Sequence, residues 1–525
     1  MDPVEEAIGH LKNGKNDPQF QFDSDCLKNG PRILFEHLAK LFRSYIIHGH
    51  VSSILVVSTV IPLIKDKLGD LSSSDNYRSI SLSSLILKVF DWVILLLYGD
   101  KLNTDELQFG YKQRTSLSMC TWLAIETIDH YLRNGSEVFV GVIDMSKAFD
   151  NVRQSTLFWK LIKNDLPPIT LRFLFNIYMK QCANVCWNDS LSEMFQINNG
   201  VKQKGVLSPH LYCLYTDDLF QLIRRKKTRC WINNTFVGIL GYADDLLLLS
   251  PTFDGLQDMF KTCEDYAKDH NLSFSTDVNL RKCKTKCMSF IKEDRVLQNI
   301  ILGGKPLPWV DTLKHLGCKF GQTLCGLNDD LMEKRAIFIN KVNEIVQEFY
   351  FAHPLTKVKI NNTFNSSFYG SNLWDLFGNE ANRLDKSWNV SQRILLGIPR
   401  NSHRFFIEPL SDTRHIMFSL YKRYIKFVNC IDESTNTTLR NMMSTVKYDC
   451  SSNTGRNLRK LMKMVGKHSI DDIKPKYIDN LRYNPIGEGE EWKINVAKEI
   501  IDVRSGDLRI NNFTPDEIDE ILIIS

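Results

Sequence analysis

The sequence has no CxxC pair and no Cys/His spacing suited to zinc, although it contains 13 cysteines. An odd, scattered set excludes a disulfide framework and a zinc ribbon, and is expected of reduced thiols in an intracellular protein. The nearest approach to a metal pattern, Cys283 and Cys287, has no second pair nearby. Long apolar runs are also missing. Residues 51–64 (VSSILVVSTVIPLI) and 85–98 (LILKVFDWVILLLY) fall short of the roughly 20 residues that cross a bilayer, and the second carries Lys88 and Asp91. The amino terminus, MDPVEEAIGH, is acidic and lacks the apolar stretch of a secretory signal, so no membrane association is expected. There is no internal repeat and no low-complexity segment. Charge of one sign is scarce too: 66 Lys and Arg against 61 Asp and Glu permit nucleic-acid binding without requiring it. The densest basic runs, Arg224 to Lys227 and Arg281 to Lys286, read first as solvated faces.

What is present is a balanced globular composition, 43% hydrophobic and 24% charged over 525 residues, enough for about three folded domains. Turn signals mark the first fifty residues, and Leu34, Leu38, Leu41 and Phe42 then predict a helix. β-branched residues from Val56 to Ile64 predict a strand, followed by a long hairpin loop, KDKLGDLSSSDNYRS. Residues 137–143 (EVFVGVI) predict a strand that delivers Asp144 to its end, with Asp150 expected to cap the next helix. Leu211, Leu214, Tyr215, Leu219 and Leu222 predict a helix beginning after Pro209. Thr235 to Gly241 and Leu246 to Ser250 predict two strands hinged at an acidic tip. Beyond Gly321 the sheet pattern stops; Leu331, Phe338, Val342, Ile345 and Phe349 mark one helix face, and the remaining third is expected to be mostly helical.

The acidic tip is the chemical anomaly. In VGILGYADDLLLLSPT, Asp244 and Asp245 are neighbours inside an apolar run, where two carboxylates about 4 Å apart repel by roughly 4 kcal/mol at an effective dielectric of about 20. Desolvation adds to that cost. Asp217-Asp218, Asp329-Asp330 and Asp471-Asp472 are expected in settings where water solvates both charges. A divalent cation would compensate the buried pair, and Asp144, at the end of its own strand, is the candidate third carboxylate.

In order along the chain stand IPLIKDK, NYRSISL, QFGYK, VIDMSKAFD, NGVKQKGVLSP, GYADDLLLL, CKTKCMSF and LPWVDTLKHLG. From about Val51 to Gly321 this series resembles the reverse transcriptases of LINE-type non-LTR retrotransposons. The resemblance implies an α+β right-hand polymerase: an amino-terminal helical extension (1–50), fingers and an antiparallel-sheet palm backed by helices (51–320), a helical thumb (321–430), and a carboxy-terminal helical region of unknown role (431–525). It implies an RNA-directed DNA polymerase acting on an RNA template, a DNA primer and deoxynucleoside triphosphates, in the nucleus and/or cytoplasm.

By the same resemblance, Asp144, Asp244 and Asp245 would be catalytic and would hold two Mg²⁺ ions, or Mn²⁺ in their place, with the Met145 carbonyl as a further ligand. Lys65 and Arg78 would grip the triphosphate, Phe149 would lie beneath the sugar and exclude a 2′-hydroxyl, Gln203 would contact template and nucleotide, and Lys284 would face the departing pyrophosphate. Trp309 to Gly317 would form the primer grip, with Gly317 in a tight turn. Lys334, Arg335 and Lys341 on the following helix would track the duplex backbone or simply be surface charge. Two positions depart from the family: Lys204 and Arg114 stand where glycine is usual. The amino-terminal endonuclease common in such elements has no counterpart before residue 50, so a fragment of a longer polyprotein is one expectation. The alternatives are a catalytically impaired polymerase-fold protein that binds RNA, and an RNA-directed RNA polymerase, which Phe149 disfavours.

Overall fold

The computed structural model describes residues 3–226, 229–276, 283–291, 296–321, 327–481, 494, 495 and 498. Three helices, Pro3–Gly9, Ser24–Lys28 and Arg32–His48, open the chain. Asp23 starts the second by accepting the N–H groups of Asp25 and Cys26. Buried Asp17 ties this region to the helix Leu85–Tyr98, accepting the Leu85 N–H and the Ser84 hydroxyl.

The expected hairpin forms a first sheet. Its strand Val57–Ile64 runs antiparallel to Tyr77–Ser83 and parallel to Cys182–Trp187, which also pairs with Ser190–Leu191 and Phe195–Gln196. The second sheet is antiparallel around Val138–Ser146. Asp245–Ser250 pairs along one edge of that strand and is itself paired with Ile239–Tyr242; Lys286–Phe290 and Ser273–Phe274 pair along the other.

Every residue from Val138 to Ile143 is buried, so the strand is a continuous apolar run rather than an alternating one. The helices Leu117–Arg133 and Phe253–Asp269 pack on this sheet, capped by Ser116 and Thr252. Gly141 is required where the second of them lies: a Cβ there would come within 2.6 Å of the Phe260 ring.

Beyond Gly321 the described residues form helices and turns and no strand. Asn328–Glu348 and Pro354–Phe364 both pack on Asn379–Leu396. The chain then returns to the second sheet. Thr437–Val446 packs on Leu117–Arg133, Trp122 Nε1 donates to Thr454 Oγ1 at 3.0 Å, and Thr454 donates in turn to Glu126. Glu106 accepts from Thr437 and Thr438. The expected helical region from residue 431 therefore includes segments that buttress the sheet helix; of its last 44 residues only 494, 495 and 498 are among those described.

Four expectations need correction. Asp150 does not cap the next helix, which is Gln154–Lys163 with Arg153 at its N-cap; the chain needs three more residues to turn, and Asp150 accepts from Gln203 instead. The run Thr235 to Gly241 is not one strand. Thr235–Phe236 forms a ribbon with Trp231–Ile232, and the sheet strand starts only at Ile239, after Gly238, where a side chain would strike Phe236 and Arg229. The helix after Pro209 is two, Ser208–Tyr215 and Asp217–Arg224, broken at Thr216, whose hydroxyl binds the carbonyls of Tyr212 and Cys213. Finally, Asp330 is 2% exposed rather than solvated, and protein donors replace water around it.

All twelve described cysteines are free, and among the described residues no helix is long and apolar enough to cross a membrane. The basic run at residue 224 is held in ion pairs: Arg224 with Asp105, and Lys226 with Asp258, which Arg229 also binds. Its Lys227, like Arg281 and Lys282 of the second run, lies outside the described residues.

Candidate active site

Strand pairing builds the site. Asp245 is the register partner of Asp144, so the two side chains stand on the same face of neighbouring antiparallel strands. Asp244 sits in the turn immediately before, after Ala243, whose φ of 58° makes the sharp reversal. Burial, followed by the charges of Asp244 and Asp144, pushes the Asp245 carboxyl up to about 6. Asp244 is raised as well, chiefly by burial and then by Asp144. The compensating cation is Lys284, whose Nζ lies 3.5 Å from Asp144 Oδ2. Its charge opposes the rise at both neighbours.

Among the described residues no three carboxylate, histidine or cysteine groups are assembled as a closed metal centre. Magnesium does not require one: it keeps several waters and binds through one or two carboxylates plus substrate phosphates. Facing carboxylates of hard oxygen donors, already in mutual repulsion, are chemically suited to that ion.

Met145 is buried, and its sulfur accepts from the Tyr212 hydroxyl at 2.8 Å. Tyr212, itself fully buried, stacks on Phe149 with ring centres 5.0 Å apart. Phe149 is thus fixed beside the carboxylate strand, and its carbonyl accepts the Val201 N–H. That bond brings in the loop of Gln203, whose Nε2 donates to both oxygens of Asp150. On the first sheet Lys65 donates to the Asp75 carbonyl at 2.8 Å. The Asp75 carboxylate pairs across the gap with Lys147, three residues past Asp144, at 2.9 Å. Arg78 is exposed on the adjacent strand, opposite Leu63.

Trp309 and Gly317 occupy opposite ends of one feature. Trp309 packs on Phe139 and Phe253 and donates to the Gln298 carbonyl at 2.9 Å. Gly317, φ 78°, forms with Leu316, φ 48°, the two-residue turn between strands Thr312–His315 and Cys318–Gly321. Lys334 and Arg335 are engaged inside the fold, with Asp330 and Ser387.

The sequence singled out neither Gln108 nor Lys147. Gln108 is fully buried, accepts the N–H groups of Ala243 and Gly110 at 2.9 and 3.0 Å, and donates to the Ala243 carbonyl at 3.3 Å. A glutamine opening QFGYK was the available signal. Lys204, φ 73°, and Arg114, φ 57°, both adopt the left-handed backbone that glycine favours.

The family described as "Reverse transcriptase (RNA-dependent DNA polymerase)" matches residues 65–320. Over 269 residues the chain is 23% identical to the Retrovirus-related Pol polyprotein from type-2 retrotransposable element R2DM of Drosophila melanogaster, covering 49% of this chain and 25% of that one. It is 23% identical over 338 residues to the RNA-directed DNA polymerase from mobile element jockey of Drosophila funebris, covering 62% and 35% respectively. A solved telomerase of Candida albicans, in complex with a telomeric RNA fragment, superposes with a TM-score of 0.36 at 12% identity, covering 86% of this chain and 69% of the other. The chain thus spans between a quarter and about a third of the length of these two curated relatives, 25% and 35%. Reverse transcriptases generally use divalent metal ions. The ordered motifs, the two-strand carboxylate site and the family match converge on one assignment: residues 65–320 are a reverse transcriptase domain, of the kind carried by LINE-type non-LTR retrotransposons.

Proposed function

We propose that this chain is an RNA-directed DNA polymerase that adds deoxynucleotides to a DNA 3′ end on an RNA template. The observation that carries the reading is the register pairing of Asp144 with Asp245, with Asp244 in the adjoining turn. These three would hold two Mg²⁺ ions, or Mn²⁺, with the Met145 carbonyl as a further ligand. When bound, such ions activate the primer hydroxyl and neutralise charge on the triphosphate.

The chain's own residues bind and orient. Lys65 and Arg78 neutralise the triphosphate, Arg78 with a guanidinium suited to paired phosphate oxygens. Phe149, braced by Tyr212, lies beneath the sugar, so that a 2′-hydroxyl meets its ring. Gln203 contacts template and nucleotide once it leaves Asp150. Lys284 exchanges its contact with Asp144 for the departing pyrophosphate. The first sheet serves as fingers, the second as palm, the segment from Trp309 to Gly317 as primer grip and the helices from Asn328 as thumb. We further propose an intracellular setting, nuclear and/or cytoplasmic, in keeping with the free cysteines.

A second reading, an RNA-binding protein with impaired turnover, draws support from the strained backbone at Lys204 and Arg114. Primer extension on an RNA template with Mg²⁺ separates the two. The expected result is extension with deoxynucleotides that Asp144→Ala abolishes while nucleic-acid affinity is kept. Tight RNA binding without extension by the wild-type chain would leave only the second reading.

A further inference from the structure

The Leu316–Gly317 turn is strained and externally held. Leucine at φ 48° takes the left-handed backbone that crowds its Cβ against the following carbonyl, so the hairpin does not specify this turn alone. The hold comes from a segment fifty residues on. Tyr369 donates its hydroxyl to the Leu316 carbonyl at 3.0 Å, and its ring lies so close to Gly317 that a Cβ there would stand 3.1 Å away.

Beneath the ring sits Lys334. Its Nζ reaches the carbonyls of Tyr369 at 2.6 Å and Gly317 at 3.5 Å, and Asp330 Oδ2 at 2.9 Å. Asp330 completes the brace, accepting the Lys319 N–H at 3.1 Å and Trp374 Nε1 at 2.9 Å. Gly370, φ 83°, interlocks the two turns, since a Cβ would meet Cys318 Sγ at 3.0 Å and Lys334 Nζ at 3.2 Å.

Tyr369 is nevertheless 41% exposed, unlike a residue kept only for packing. The hairpin it holds packs on the sheet: strand Thr312–His315 lies against Lys286–Phe290, which pairs with the strand that carries Asp144. One side chain thus holds the turn of a hairpin that leans on the carboxylate sheet.

We propose that Tyr369, seated on Lys334 and Asp330, is a positioning residue of this site: it fixes the Leu316–Gly317 turn of a hairpin packed on the carboxylate sheet and so sets where a primer strand lies relative to Asp144, Asp244 and Asp245. This rests on the polymerase reading above. Tyr369 takes no part in bond making. It acts through the turn, and its removal is felt by the primer rather than by the nucleotide.

Tyr369→Phe tests this, because it deletes the hydroxyl and keeps the ring against Gly317. Expected is a rise in KM for primer–template of about three- to tenfold, on the scale of one neutral hydrogen bond, with KM for deoxynucleotide unchanged and the Tm lowered only by the little that one such bond contributes. Lys334→Met should shift the same parameter in the same direction. If neither KM moves, or if both move together with a larger fall in Tm, the proposal is overturned. A readout without turnover keeps it separate from the polymerase reading: 2-aminopurine at the primer terminus, with Ca²⁺ in place of Mg²⁺. There Tyr369→Phe should change the fluorescence of the bound terminus even if the wild-type chain extends nothing; an unchanged signal overturns the proposal, and absent extension alone overturns only the polymerase reading.

Discussion

The side-chain amide of Gln108 holds the backbone of Ala243 from both sides, accepting its N–H at 2.9 Å and donating to its carbonyl at 3.3 Å. Ala243 has a left-handed backbone and precedes Asp244, so this one buried side chain fixes the turn that aims a carboxylate. The segment is also too close for substitution at Gly110, where a Cβ would stand 2.6 Å from the Ala243 nitrogen.

Gln108→Leu keeps the volume and loses all three hydrogen bonds. The turn then relaxes, and a displacement near 1 Å at a reacting centre costs about 10²-fold. Single-turnover extension should fall by that order while primer–template affinity stays at the wild-type value. Unchanged turnover would show that the strands alone aim Asp244.

Lys204→Gly and Arg114→Gly each relieve a positive φ, of 73° and 57°. Each should stabilise the fold by about 1 kcal/mol, read as a raised midpoint in urea unfolding. Neither side chain touches the carboxylates, so extension should change little. A large gain in extension with Lys204→Gly would instead mark the present chain as impaired.

Phe149 is held by its stack on Tyr212. Phe149→Ala should open the space beneath the sugar and raise ribonucleotide incorporation relative to deoxynucleotide by at least about tenfold, within the range of a pocket hydrophobe. Competition between the two nucleotide types in primer extension measures the ratio; an unaltered ratio would remove Phe149 from sugar selection.

Glu126 couples the carboxy-terminal helices to the sheet. Burial pushes its carboxyl from 4.5 up to about 7, against the opposing hydrogen bond from Thr454. The folded protein therefore retains a proton that the unfolded chain releases, so this contribution is full below about 4.5 and is lost as pH rises through about 7. Over that window Tm should fall for the wild-type chain relative to Glu126→Gln, which has no proton to lose. Parallel Tm profiles would exclude the linkage.

The elements that carry the site were legible where local chemistry dictated them. EVFVGVI reads as a strand candidate, and the strand Val138–Ser146 delivers Asp144; the acidic tip between two apolar runs is a hairpin because two strands flank it. The turn at Gly317 was named by the resemblance, and its positive φ is the part of that turn that a glycine meets locally. Less was visible where a partner distant in sequence decides. Asp330 looked like a solvated pair member, because its burial depends on Trp374, 44 residues away. Asp150 looked like a cap, because nothing nearby announces that Gln203 claims it.

By itself, the sequence determined the strand-borne carboxylates, because periodicity, apolar runs and turn residues act within a few positions, and its ordered motifs carried the resemblance to the reverse transcriptases. Only the tertiary structure decided what holds those groups in place: Gln108 on Ala243, Tyr369 on Leu316 and Thr454 on Glu126. Such contacts are formed by hydrogen bonds between segments tens to hundreds of residues apart, and a linear pattern carries no signal of which distant donor will meet which acceptor.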